Sequence, residues 1–153
     1  MRFFLIDKIT HWDIGKEAAA IKNVSLSEDF FSDHFPRRPI MPGMLIIEGM
    51  AQLSGLLLEE SLKAQSGESV KAVITIMERI KFREMVRPGT TLTYKVNIVS
   101  LNSAGGKVAV IACNGERLVL ETKLSFGFKR LEDGMLDARR EDLLRIWRQE
   151  KSR

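Results

Sequence analysis

Between Gly43 and Leu58 the chain is apolar around almost a full helical circumference, with Met44, Leu45, Ile46, Ile47, Met50 and Ala51 leading into a leucine-rich run. Charge returns only at Glu59, Glu60 and Lys63, so a helix over residues 43–64 is predicted, and it must be surrounded by other elements. Downstream the period falls to two. Leu92, Tyr94, Val96 and Ile98 alternate with Thr93, Lys95 and Asn97, and the same rhythm returns at Val108, Val110 and Ala112 and at Leu118, Leu120, Leu124 and Phe126. This is the pattern of half-buried antiparallel strands. Gly105-Gly106 and Asn114-Gly115 are expected to supply the positive φ of tight turns. Upstream, strands are predicted over residues 3–9 and 18–26, and residues 29–34 read as a loop that packs Phe30 and Phe31. One buried helix with a meander of antiparallel strands predicts an α+β fold in which the sheet wraps the helix.

A further strand is expected through residues 74–82, with Ile74, Ile76, Ile80 and Phe82 on one face and Arg79, Lys81 and Arg83 on the other. The basic face is either a solvated outer surface or, with Arg37, Arg38 and Arg87 near by, a docking patch for an acidic partner. Beyond residue 128 the chain is charged, with Leu136, Leu143 and Trp147 at helical spacing, which favours a packed surface helix over a membrane anchor. The expected organisation is one domain over residues 1–128 and a charged, helical extension over residues 129–153.

Composition narrows the classes. At 153 residues and 44% hydrophobic content the chain can bury a substantial core. Its 24 basic and 20 acidic residues give a net charge of +4, which would favour encounter with an acidic protein. Nucleic acid is not expected, because zinc spacing, aromatic interleaving and a recognition-helix pattern are all missing. The lone Cys113 suits a reducing compartment and reads as a small buried hydrophobe. The opening residues lose apolar character too early for a signal peptide, and the apolar run from Met44 to Leu58 falls short of a bilayer span. A soluble cytoplasmic protein is expected. No metal or organic cofactor is called for, since neither ligand spacing nor a glycine-rich phosphate loop occurs.

The chemistry is concentrated in residues 33–48. Prolines at 36, 39 and 42 stiffen the loop after His34. Pro42 is expected at the first helical position, and Gly43 leaves the unsatisfied amides of that turn open to a ligand. Glu48, set among apolar residues, is expensive to bury without a task or partner. An acid/base pair, His34 and Glu48, beside an oxyanion site is the reading these residues support, against a Glu48 that merely reaches solvent. Gln52, one turn beyond Glu48, is either its supporting hydrogen-bond partner or a plain buried amide. His11, beside Trp12, is taken as structural.

The run FFSDHFPRRPIMPGMLIIEGMAQ resembles the signature of the FabZ-like 3-hydroxyacyl-acyl-carrier-protein dehydratases of the hotdog superfamily, with HFP, P-x-x-P-G, Glu48 and Met50-Ala51-Gln52 in register. Ile80-Lys81-Phe82-Arg83 and Val86-Arg87-Pro88-Gly89 resemble that family's second block, so the likeness spans residues 3–128. It implies a hotdog fold and dehydration of 3-hydroxyacyl-acyl-carrier-protein thioesters to trans-2-enoyl thioesters. It further implies that His34 and Glu48 act from different subunits of a dimer, that the Gly43 amide holds the thioester carbonyl, and that Gln52 belongs to the substrate site. The partner implied is acyl carrier protein, and the assembly a homodimer or trimer of dimers, with Arg79, Lys81 and Arg83 as the docking candidates. Met41, Met44 and Met50 either shape an acyl tunnel or are core. Arg37 stands where the family usually has glycine, and a positive φ there would strain it. Two other readings are a hotdog acyl thioesterase, which would release free thiol, and a non-catalytic carrier-binding subunit, which would lack one of the pair.

Overall fold

The computed structural model describes residues 4–131 and 134–150. Its elements follow the order β1 (Lys8–Asp13), β2 (Glu17–Asn23), a 3-10 turn (Asp29–Ser32), α1 (Gly43–Ser66), β3 (Lys71–Phe82), β4 (Thr91–Asn102), β5 (Gly105–Asn114), β6 (Arg117–Lys129) and α2 (Gly134–Arg148). The strands form one antiparallel sheet in the order β1-β2-β4-β5-β6-β3. Helix α1 packs against β2, β3, β4, β5 and β6, so the sheet wraps it as a hotdog fold does. Leu53, Leu57 and Leu58 are wholly buried in that seam, each worth about 1.5–3 kcal/mol of burial. Gly49 lets α1 approach β4 closely, since a Cβ there would lie 2.5 Å from the Tyr94 hydroxyl. Among the described residues no helix is long and apolar enough to cross a membrane.

Helix α1 starts at the predicted residue and runs to Ser66, where Gly67, at φ +74°, ends it by donating its N–H to the Lys63 carbonyl at 2.9 Å. Pro42 is the N-cap, one residue outside the position expected for it. The first strand lies later than expected: Gly15, at φ +84°, sets the turn after Asp13, so β1 covers residues 8–13, and the expected start at Phe3 lies outside the described residues. His11 meets Glu17 across that exposed hairpin at 3.1 Å, an ordinary surface pair. Phe31 is buried and Phe30 packs on the core.

Two expectations fail for physical reasons. Gly105 and Gly106 are not turn residues; they open β5, opposite Gly127 and Phe126. A Cβ on Gly105 would collide with the Phe126 carbonyl, and one on Gly106 would lie 2.6 Å from Leu58 Cδ2. The turn belongs instead to Ser103 and Ala104, with Asn102 Oδ1 accepting from the Ala104 and Gly105 amides at 2.8 and 3.2 Å. Gly115, at φ +60°, does serve its predicted turn. Strand β3 does not keep one apolar face. Irregularities between Ile74 and Ile76, and between Glu78 and Lys81, insert extra residues. Ile74 therefore pairs with inward Phe126, while Ile76 pairs with Ser125 and is exposed.

Candidate active site

His34 is fixed by backbone rather than by side chains. Its N–H donates to the Phe30 carbonyl at 3.0 Å, its own carbonyl accepts from Ile40 N–H at 2.9 Å, and Met41 N–H ties the loop's end to the Val86 carbonyl at 2.8 Å. The imidazole Nδ1 lies 2.7 Å from the Ile40 carbonyl oxygen. A carbonyl can only accept, so Nδ1 carries a proton, and in the neutral imidazole Nε2 is the nitrogen with the lone pair. The ring stacks on Phe35, with centroids 4.2 Å apart. Arg37 is free of the strain anticipated for it, because the described non-glycine residues with positive φ are Arg79 and Gln149.

Glu48 is half-buried in the second turn of α1. Gln52 Nε2 donates to Glu48 Oε1 at 3.1 Å while its Oε1 accepts from Leu5 N–H at 3.2 Å, so the amide holds the carboxylate and is itself held by the N-terminal segment. That decides between the two roles open to Gln52. Gly43 begins α1 against the Phe82 ring, with which a Cβ would collide. Its amide is one of the four first-turn donors that an α-helix leaves without an internal acceptor. Met41 and Met50 are buried core, and Met44 is exposed.

Within the chain neither a hydrogen bond nor an ion pair joins His34 and Glu48, and His34 does not line the cavity beside Glu48. Glu48 instead opens into a cavity of ≈ 510 Å³ between α1, β3, β6 and α2. The far end of that cavity holds a residue that sequence reasoning missed. Glu59 is only 6% exposed, its Oε1 accepting from Ala72 N–H at 2.7 Å and its Oε2 2.5 Å from Arg140 Nη1 on α2. A signal for it existed, since Glu48, Gln52, Gly55 and Glu59 recur at intervals of four, three and four along one helical face.

Burial pushes the Glu59 carboxyl above its ordinary 4.5, opposed by the Ala72 amide and by Arg140 and Lys71. The folded state thus holds this proton more tightly than the unfolded chain. Its contribution to stability is full below pH 4.5 and is lost as pH rises through the raised value. Across that window Glu59→Gln, which keeps an acceptor for Ala72, should gain stability relative to wild type as pH rises in thermal melts; parallel curves would remove Glu59 as the titrating group.

The basic residues of β3 are interleaved with acids. Arg79 sits in the second irregularity at φ +51°, Lys81 is opposite Glu121, and Arg83 is ion-paired with Glu121. Hydrogen bonding from Arg83, with its charge and that of Lys81, holds Glu121 below the usual carboxylate range. Glu78 binds Lys107 at 2.5 Å on the same face. Arg37 and Arg38 are exposed on the His34 loop. Among the described residues no group of three or more His, Cys, Asp or Glu could hold a metal ion.

Residues 1–123 match the model of the FabA-like domain. A protein of Chlamydia caviae named 3-hydroxyacyl-[acyl-carrier-protein] dehydratase FabZ is 41% identical over 125 residues, covering 81% of this chain and 80% of the relative. Proteins of the same name from Clostridioides difficile and Caldicellulosiruptor bescii are 38% and 36% identical, covering 81% and 83% of this chain and 85% and 89% of the relatives. Among solved structures, a chain of the dehydratase heterocomplex ApeI:P from Xenorhabdus doucetiae superposes with a TM-score of 0.67 over 89% of both chains at 13% identity. A protein described as a hypothetical thioesterase, with coenzyme A, from Streptococcus pneumoniae superposes with a TM-score of 0.63 over 82% of this chain and 88% of the other at 16% identity. At those identities the structural likeness concerns the fold alone, whereas the family-model match and the sequence relatives extend over four-fifths of the chain: it belongs to the FabA-like family.

Proposed function

We propose that this protein removes water from 3-hydroxyacyl thioesters carried by acyl carrier protein, giving trans-2-enoyl thioesters for fatty acid or related lipid or polyketide synthesis. The reading is supported by the dehydratase names of its sequence relatives, and the single observation that carries it is the 2.7 Å Nδ1 contact with the Ile40 carbonyl, which leaves His34 Nε2 as a base. Nε2 takes the C2 proton, and the electron pair moves toward the thioester oxygen, where the Gly43 N–H stabilises enolate character at the start of α1. Collapse of the enolate forms the C2–C3 double bond and expels the C3 hydroxyl, which leaves as water on receiving a proton from Glu48. Gln52 holds Oε1 of that carboxyl and so leaves Oε2 for the hydroxyl.

Each complete site is proposed to draw His34 and Glu48 from two subunits, a reading supported by the absence of His34 from the cavity that Glu48 lines. Edge strand β3 supplies the surface for pairing: Val73, Ile76, Met77 and Phe82 are exposed on it, and two such edges joined antiparallel would close the sheet across a two-fold axis. A homodimer, alone or in a trimer of dimers, is the assembly proposed. The free Cys113 fits a cytoplasmic setting. The test is incubation with 3-hydroxyacyl-acyl-carrier protein, read by mass spectrometry for loss of water. Release of free thiol instead would favour the thioesterase.

Carrier docking is assigned to Arg79 and Lys81, with Arg83 contributing less because it is engaged by Glu121. Changing Arg79 and Lys81 to Glu should raise KM for the carrier-bound substrate several-fold and spare a pantetheine thioester, which lacks the acidic protein. An equal rise on both substrates would shift docking to Arg37 and Arg38.

A further inference from the structure

Helix α2 lies beyond residues 1–123, which match the family model, yet it forms a wall of the cavity into which Glu48 opens. From Glu48 to Glu59 the cavity follows α1 for eleven residues, about 16 Å at the rise of an α-helix. Opposite α1's stripe stand Ile74 and Phe126 of the sheet and Leu143 and Trp147 of α2. The mid-point is Gly55, and packing does not demand a glycine there. A Cβ would have Ala72 Cβ at 3.6 Å and Phe126 Cε1 at 3.8 Å as its nearest neighbours, which is ordinary contact. The missing side chain is space along the groove.

The far end is polar. Glu59 accepts from Ala72 N–H and pairs with Arg140, so an apolar group pushed further would have to strip a buried ion pair of its partners. The same helix is tied down by the ion pairs of Asp137 with Lys71 and Glu141 with Lys63, and by Trp147 set edge-on against Phe4 at 6.1 Å. A groove with apolar walls along its middle, a candidate proton donor at one end and an ion pair at the other fits an unbranched acyl chain of limited length.

We propose that α2 is the chain-length gauge of this protein: the alkyl tail of a medium-chain acyl thioester lies past Gly55 against Leu143 and Trp147 and stops at the Arg140–Glu59 pair. The role of Glu48 at one end rests on the dehydratase reading, but occupancy of the groove can be read without turnover. Butyryl, octanoyl, dodecanoyl and palmitoyl pantetheine thioesters are titrated into the full-length protein by calorimetry. Affinity should climb from butyryl to a medium chain and gain nothing at palmitoyl. Gly55→Leu, which improves helix propensity, should lower the affinity for the longer chains relative to butyryl by about tenfold, the effect of displacing roughly two buried methylenes. Trp147→Ala should act on the same long chains and leave the ranking of the short ones. Equal affinities for all four thioesters in wild type, or equal losses on all four in Gly55→Leu, would overturn the proposal. The matching 3-hydroxyacyl thioesters, followed for water loss, separate the two claims. Length-dependent binding without dehydration retains the gauge and removes the dehydratase, and dehydration indifferent to length and to Gly55→Leu does the reverse.

Discussion

His34→Ala and Glu48→Gln should each lower kcat/KM for dehydration of a 3-hydroxyacyl-acyl-carrier protein by about 10² to 10⁴, the usual worth of a positioned acid or base. Neither change should unfold the protein. His34 is half-buried on a loop whose backbone bonds to Phe30 and Ile40 survive loss of the ring, and glutamine at 48 keeps an oxygen for the Gln52 amide. Glutamine has no acidic proton to give the departing hydroxyl, so the second variant isolates proton donation from shape. As both residues serve one reaction coordinate, the double variant should cost little more than either single one within a complete set of sites. Mixing the two inactive proteins under exchanging conditions should recover activity, since a heterodimer contains one site with both groups intact. Wild-type rates in either single variant would remove that residue from the chemistry, and a well-exchanged mixture that stays inactive would argue against a site shared between chains.

Gly49→Ala should destabilise the fold by about 1–3 kcal/mol in urea denaturation, although alanine is the better helix former by about 1 kcal/mol. The added Cβ would lie 2.5 Å from the Tyr94 hydroxyl and 2.7 Å from its Cζ, and Tyr94, 0% exposed on β4, has nowhere to move. Overpacking outweighs propensity. That hydroxyl also lacks a hydrogen-bond partner among the described residues. Tyr94→Phe removes a buried unsatisfied group worth about 1–3 kcal/mol of penalty and should be neutral or stabilising. In the Tyr94→Phe background Gly49→Ala should recover part of its loss, and only part, because Cζ remains within 2.7 Å. A double-mutant cycle that closes additively would show that the helix shifts away from β4 instead.

The long-period features were legible in the chain. Apolar residues around most of α1 as far as Leu58 required a wrapping sheet, and the alternation at Leu92, Tyr94 and Val96 placed β4 with its inward face correctly. What escaped was decided by contacts distant in sequence. Gly105 and Gly106 read as a turn because glycine pairs usually supply positive φ; their actual reason is the Phe126 carbonyl and the Leu58 side chain, neither of them near in the chain. The two irregularities of β3 carry no glycine, and Arg79 enters the left-handed region where its type gives no warning. Glu59 looked like the start of a solvated surface because its partner Arg140 sits on a helix far downstream. In the candidate site the position of Glu48 on α1 and of His34 on the loop before it was readable. The carbonyl that fixes the imidazole tautomer was not, since a main-chain acceptor leaves no mark on side-chain identity.

That main-chain acceptor bears on how the loop can evolve. The Nδ1 proton of His34 is held by the oxygen of residue 40, a group every amino acid carries, so drift in the side chains between them cannot delete it. Arg37 is one of those side chains, and the backbone bonds from His34 to Ile40 remain in place around it. The exposed positions 37 and 38 can thereby change while the imidazole beside them keeps its orientation, which uncouples the outer face of the loop from its inner geometry within a span of seven residues.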